Sequence, residues 1–281
     1  NPKGYRFVEF PIYNAAQASL FNIFGIMTLE DWGRLISILS TLAGTYFVYL
    51  LTKKYANELA GFFAAFFYLF LPFSIFFVRT ILPDRSMVAS IVAGMYFFDK
   101  WMSKKSIQYS VLSIEFILAV IFTAGAFLLK PFALFFTLPM LYLAWEKFGL
   151  SLFKKWQLYL FAVLSLLPLV LWRIWITQFP EGVPVSAWLF NEGNIRFTGA
   201  FFHWIFAERI GKLILGYFGV LFLLIGFFKQ NEKHYPFFLA FFVSSLLYLT
   251  VIARGNVQHD YYQILILPTI CIFLGRGASF L

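Results

Sequence analysis

The segment Arg79-Thr-Ile-Leu-Pro83-Asp84-Arg85 holds the sharpest concentration of chemically capable side chains in the sequence. Pro83 fixes a turn and sets Asp84 at its tip. A carboxylate between Arg79 and Arg85 stays ionised, and can act as a general base or orient a hydroxyl acceptor. The competing reading is a plain hairpin with snorkelling arginines and a solubilising Asp. A second group, Arg254-Gly-Asn-Val-Gln-His259-Asp260-Tyr261-Tyr262, could bind a phosphate or sugar hydroxyls. It could equally be a helix capped by Asp260 with interfacial tyrosines beside it. Lys130, before Pro131, is the third candidate: a lone Lys at a span end can pair with a lipid phosphate or simply snorkel. Glu181, Glu192, Arg196 and His203 read as a solvated connection or as the edge of an acceptor site. No His, Cys or Asp spacing suggests a metal site, and no Gly-rich phosphate loop is present. A nucleotide substrate is therefore not indicated, and a bound phosphate would arrive on a lipid, sideways through the bilayer.

The elements that must position these residues are membrane helices. Hydrophobic residues make up 61% of the 281 and charged ones 12%, against about 25% charged in soluble proteins. So few charges cannot cover a water-facing surface, so lipid must solvate much of the chain. Apolar runs of roughly 18 residues or more recur, enough for a ~30 Å hydrocarbon core. They are apolar all round rather than alternating, which selects helices over a barrel. The expected fold is an all-α, polytopic transmembrane bundle of about nine spans, at 34–52, 58–78, 86–101, 107–129, 131–146, 156–176, 210–228, 236–253 and 261–276. The third and fifth are short, which suggests tilt or a bordering cavity. Residues 1–33 read as the remnant of an outer loop, with an interfacial helix from Tyr13 to Ile26. Residues 178–208 form the one long hydrophilic loop, and the whole of 1–281 reads as a single domain, incomplete at its N-terminus. The 40 Phe fill lipid-facing positions, and the single Cys271 offers no disulfide.

Charge placement sets the orientation. Lys53/Lys54, Lys100/Lys104/Lys105, Lys147/Lys154/Lys155 and Lys229/Lys233 fall at alternate span ends, and the positive-inside tendency makes that side cytoplasmic. The net charge of +9 is thereby assigned to membrane orientation, not to nucleic acid. The opposite, outer face receives most of the arginines, whose planar forks suit phosphate.

Taken together, these segments resemble the membrane glycosyltransferases that use polyprenyl-phosphate sugars, the protein O-mannosyltransferases and the lipid A aminoarabinose transferases. Glu9-Phe-Pro11-Ile-Tyr13 resembles the acidic-Pro-aromatic element late in that family's first outer loop. Arg34-Leu, after Glu30-Asp31-Trp32, resembles the start of its second span. Arg79 to Asp84 resembles its second outer loop, Lys130-Pro131 a Lys-Gly/Pro element, and His259-Asp-Tyr-Tyr262 with Pro268 a late aromatic helix entrance.

The resemblance implies the GT-C fold and transfer of a sugar from a polyprenyl-phosphate donor to a protein or glycolipid acceptor on the outer face. The setting it implies is a multi-pass, prokaryotic cell-membrane protein. Asp84 would be a secondary acid; Glu9, Arg34, Arg79, Arg85, Lys130, Arg254, His259, Asp260 and Tyr262 would contact substrate. The family's principal carboxylate would lie upstream of Asn1, leaving this piece inactive by itself. No cofactor beyond the donor lipid is implied. A transporter or flippase of an amphiphilic substrate, or a non-catalytic scaffold, are the alternatives the residues leave open.

Overall fold

The computed structural model describes residues 9–105, 107, 110–183, 187–229 and 234–281. Residues 1–8 of the expected 1–33 remnant, 184–186 of the long loop and Lys233 lie outside them. Among the described residues every regular element is helical. Helix α1 (Ile12–Phe24) occupies the expected N-terminal position and ends at Gly25, whose φ of +60° favours glycine. It is folded onto the start of α2 (Leu29–Tyr55): the Tyr13 hydroxyl donates to the Gly33 carbonyl at 2.6 Å, and the Gln17 amide donates to the Leu29 carbonyl at 2.8 Å.

Local chemistry sets the helix ends. Thr28 Oγ1 accepts from the Asp31 amide at 3.2 Å, with Glu30 and Asp31 in the first turn of α2 and Lys53 and Lys54 in its last. That is the charge order the helix dipole favours. Asn57 caps α3 (Glu58–Phe70) through the Ala60 amide at 2.8 Å. Pro72 interrupts the second span after Leu71, and α4 (Pro72–Phe77) resumes it. Helix α5 (Asp84–Met102) starts directly after Pro83. Helix α6 (Ile114–Leu129), capped by Ser113, ends at Lys130, which is extended because Pro131 disfavours a helical residue before it. A 3-10 turn, Pro131–Thr137, then leads into α7 (Leu138–Phe148).

Beyond α8 (Trp156–Ile176), two short helices, α9 (Trp188–Asn191) and α10 (Gly199–Phe202), lie in the expected loop. The expected continuous span 210–228 is not continuous. Residues His203–Ile214 form a wide π-helix, and the run into α11 (Gly219–Phe228) bends by 112°. Gly216 and Tyr217 both take positive φ, +54° and +63°, and two successive left-handed residues reverse the chain. From Leu213 to Phe228 the run is apolar, so hydropathy alone does not show the turn. Helices α12 (Tyr235–Val251), α13 (Ala253–Gln258) and α14 (Leu267–Ala278) follow, the last preceded by a 3-10 stretch, Asp260–Ile266. Among the described residues, three helical stretches are long and apolar enough to cross a membrane alone: Leu29–Tyr55, Trp156–Ile176 and Asp260–Ala278.

Two seams organise the bundle. Helix α5 lies between α2 and α6, and α14 between α3 and α11. Every residue of α14 from Leu267 to Gly277 is buried. Backbones touch at this second seam: a Cβ added to Gly226 would collide with the Phe273 carbonyl, and one added to Gly277 with the Phe222 carbonyl. Small residues allow such approach where lipid supplies no hydrophobic drive between helices.

Candidate active site

Asp84 opens α5, where the helix N-terminus favours a negative charge, and is only 3% exposed. Lys130 ends α6 and is 6% exposed. Its extended backbone turns the side chain away from the helix, and Nζ reaches 2.9 Å from Asp84 Oδ1 as a hydrogen bond and 2.9 Å from Oδ2. The ammonium also lies 5.1 Å from the ring centroid of Tyr261 and 5.4 Å from that of Tyr262. A buried cation is thus held by one carboxylate and two aromatic rings.

The tyrosines are delivered by a broken helix. Between α13 and the following 3-10 stretch, His259 is extended at φ −122°, ψ 121°. Buried side chains bridge the break: Gln263 Nε2 donates to the Asn256 carbonyl and to Asn256 Oδ1, each at 3.0 Å. The Tyr248 hydroxyl donates to the Tyr262 carbonyl at 3.2 Å. Asp260 pairs with Arg209 at 3.0 Å, and Arg209 also donates to the Val257 carbonyl at 3.0 Å, tying the π-helix to the same segment. The His259 ring lies 5.3 Å from Tyr261 and 5.4 Å from Tyr262, centroid to centroid. Its partial burial lowers the imidazole pKa, although Asp260 pulls the other way.

Glu9 reaches the same place from the other end of the chain. The Phe10 amide donates to the Leu128 carbonyl at 3.1 Å, strapping the segment to the end of α6. Burial pushes the Glu9 carboxyl above its ordinary value; Lys130 opposes this, Asp84 adds to it, and Arg173 opposes it more weakly. Glu9, Tyr13, Asn14 and Pro83 border a cleft of about 300 Å³.

Glu9, Asp84, Lys130, His259 and Tyr262 are therefore brought together. The arginines expected around Asp84 are not. Arg85 is fully buried but points elsewhere, with Nη2 donating to the Ser74 carbonyl at 3.2 Å and its guanidinium 5.7 Å from the Tyr68 ring. One residue along a helix turns a side chain about 100°, so Arg85 leaves the face that Asp84 occupies. Arg79 is exposed, and Arg34 is exposed and sits 3.6 Å from Asp31. Arg254 is half-buried on α13, its Nε without a hydrogen-bond partner. Asp260 contacts Arg209 and makes no side-chain capping bond. Sequence reasoning placed Tyr261 in the 254–262 group without singling it out as a contact, and did not raise Tyr248, which nothing in the sequence distinguishes from other span tyrosines. Among the described residues, no cluster of three or more His, Cys, Asp or Glu is placed to hold a metal ion.

Residues 9–175 match the family described as dolichyl-phosphate-mannose-protein mannosyltransferase. No curated protein matches the chain significantly. Among solved structures, ArnT from Cupriavidus metallidurans bound to undecaprenyl phosphate aligns over 98% of this chain and 51% of its own, at 15% identity and a TM-score of 0.72. The apo state of the same protein aligns over 98% and 50%, at 16% identity and a TM-score of 0.71. The chain thus spans about half the length of these structures, and the likeness is one of fold.

Proposed function

The chain belongs to the dolichyl-phosphate-mannose-protein mannosyltransferase family, with a GT-C fold, and from that premise we propose that the Asp84–Lys130 site binds the phosphate of a polyprenyl-phosphate sugar during sugar transfer on the outer face of the membrane. The observation that carries this reading is the Lys130 ammonium, buried beneath two tyrosine rings and in ion-pair contact with Asp84.

In such a transfer an acceptor hydroxyl attacks the anomeric carbon as its proton passes to a general base, and the sugar–oxygen bond to phosphate breaks with its electron pair leaving on the phosphate. A fixed cation is most useful where that charge develops. Lys130 supplies it, and Asp84 orients the ammonium. His259, with its pKa lowered, is a neutral donor or acceptor beside the tyrosine pair. Glu9, open to the cleft, is placed to hydrogen-bond sugar or acceptor hydroxyls. Arg254 on α13, and Arg209 reaching the same segment from the π-helix, contribute positive charge.

The break at His259 also fits a protein that passes an amphiphile across the bilayer, since broken helices line transport sites. Two measurements separate the readings. Undecaprenyl phosphate titrated into the purified chain in detergent, followed by native mass spectrometry, is expected to bind to the natural chain and to lose at least tenfold affinity in Lys130→Met. Equal affinity in that variant would remove Lys130 from the site. A labelled lipid-phosphate sugar offered with acceptor to the chain in vesicles then reports label on acceptor for transfer, or intact label in the opposite leaflet for transport.

A further inference from the structure

We infer that the chain carries a second phosphate-binding site at the opposite end of the bundle, a basic cavity between α2, α5, α7 and α12 that takes the headgroup phosphate of an anionic phospholipid. Asp84 and Asp99 lie 15 residues apart on α5, so the two places are separated by roughly 22 Å along the helix. The cavity, about 640 Å³, is the roomiest of those described and is lined by Lys54, Lys104, Lys105 and Lys147 against two carboxylates, Asp99 and Glu146.

The lysines divide by what they already touch. Lys147 donates to the carbonyls of Met102 and Lys104, satisfying the end of α5. Lys104 meets Glu115 at 2.8 Å, outside the cavity wall. Lys54 meets Asp99 at 2.6 Å, with Tyr55 donating to the same carboxylate at 2.6 Å and Lys54 also donating to the Ser103 hydroxyl at 3.2 Å. The Lys54 side chain remains 40% exposed. Lys105 is exposed and, among the described residues, pairs with no carboxylate. The ligand's phosphate would lie between the Lys54 and Lys105 ammonium groups, within reach of the Ser103 hydroxyl. His234, 3.5 Å from Glu146, closes the far wall. Plain snorkelling would send these side chains outward as separate points. Here they line one open-mouthed pocket together, and basic pockets between membrane helices suit anionic headgroups.

The proposal does not depend on the sugar-transfer reading. The natural chain in detergent is titrated with phosphatidylglycerol, with phosphatidylcholine, and separately with inorganic phosphate, and bound ligand is counted by native mass spectrometry. Phosphatidylglycerol is expected to be retained over phosphatidylcholine, with affinity lowered roughly tenfold by Lys105→Glu. Lys105→Arg, and Lys154→Glu at an exposed lysine outside the cavity, should leave it unchanged. Inorganic phosphate bound with the same Lys105 dependence, and no phosphatidylglycerol preference, would support the site with a soluble phosphate ester as its ligand. Equal losses in Lys105→Glu and Lys154→Glu, or no selective binding of either probe, would overturn it. Because Lys105 is exposed, thermal unfolding of the variant is expected to match the natural chain, which separates lost binding from lost structure.

Discussion

The Lys130 ammonium sits 2.9 Å from each oxygen of Asp84, a residue 46 positions earlier in the chain, and both side chains are almost wholly enclosed. Either charge alone in that enclosure would be costly. Asp84→Asn is therefore expected to cost about 3–5 kcal/mol of stability, seen as a lower unfolding temperature in detergent. The double variant Asp84→Asn/Lys130→Met should recover much of that stability while binding no undecaprenyl phosphate. If the double variant were no more stable than Asp84→Asn, the pair would not be the coupled unit described.

Glu9 gives a pH signature. Burial lets the folded chain hold the Glu9 proton to higher pH than the unfolded chain, whose carboxyl titrates near the ordinary 4.5. Between 4.5 and the raised folded value the folded state binds more protons, so stability falls as pH rises through that window. Glu9→Gln removes the titration. It should match the natural chain below pH 4.5 and exceed it in stability above the window, as measured by thermal unfolding across pH; the opposite sign would mean that the Lys130 attraction outweighs burial.

The tyrosine pair should act through its rings. Tyr262→Phe keeps the ring over Lys130 and is expected to keep undecaprenyl phosphate affinity within about threefold. Tyr262→Leu loses a cation–π contact of about 0.5–2 kcal/mol and should weaken binding about two- to thirtyfold. Isothermal titration of both variants decides whether ring or hydroxyl matters.

Tyr248→Phe removes the bond to the Tyr262 carbonyl at a cost of about 0.5–1.5 kcal/mol. Hydrogen exchange is expected to quicken at Tyr261 to Ile264 and not in α2. Unchanged exchange there would show that the Gln263–Asn256 bridge alone holds the break.

How far these relationships were legible in the sequence depended on their range. Long apolar runs marked the helices because burial in lipid leaves a compositional trace in every residue of a span. Asp84, Lys130 and His259-Asp-Tyr-Tyr262 stood out singly, as ionisable or polar groups where apolar ones were expected. Their partnership was not legible: Arg79 and Arg85, near in sequence, were assigned to Asp84, whereas the partner came from another helix. Likewise the contacts of Asp99 were not legible, because Lys54 and Tyr55 come from α2. The turn at Gly216 and Tyr217 left no hydropathy signal, since bending an apolar segment does not change what it is made of.

The glycine seam invites a last test. Gly277→Ala should cost about 1–3 kcal/mol through forced separation of α11 from α14, whereas Gly125→Ala, where an added Cβ meets nothing within 4 Å, should cost almost nothing. Thermal unfolding of the two variants makes the comparison.

That seam also bears on biosynthesis. Helix α11 is ten residues long, about 15 Å at 1.5 Å per residue, too short to cross a bilayer by itself. The surface that receives it is on α14, which leaves the ribosome some forty residues later. During synthesis α11 must therefore wait at the membrane without its partner, until α14 arrives to settle it in place.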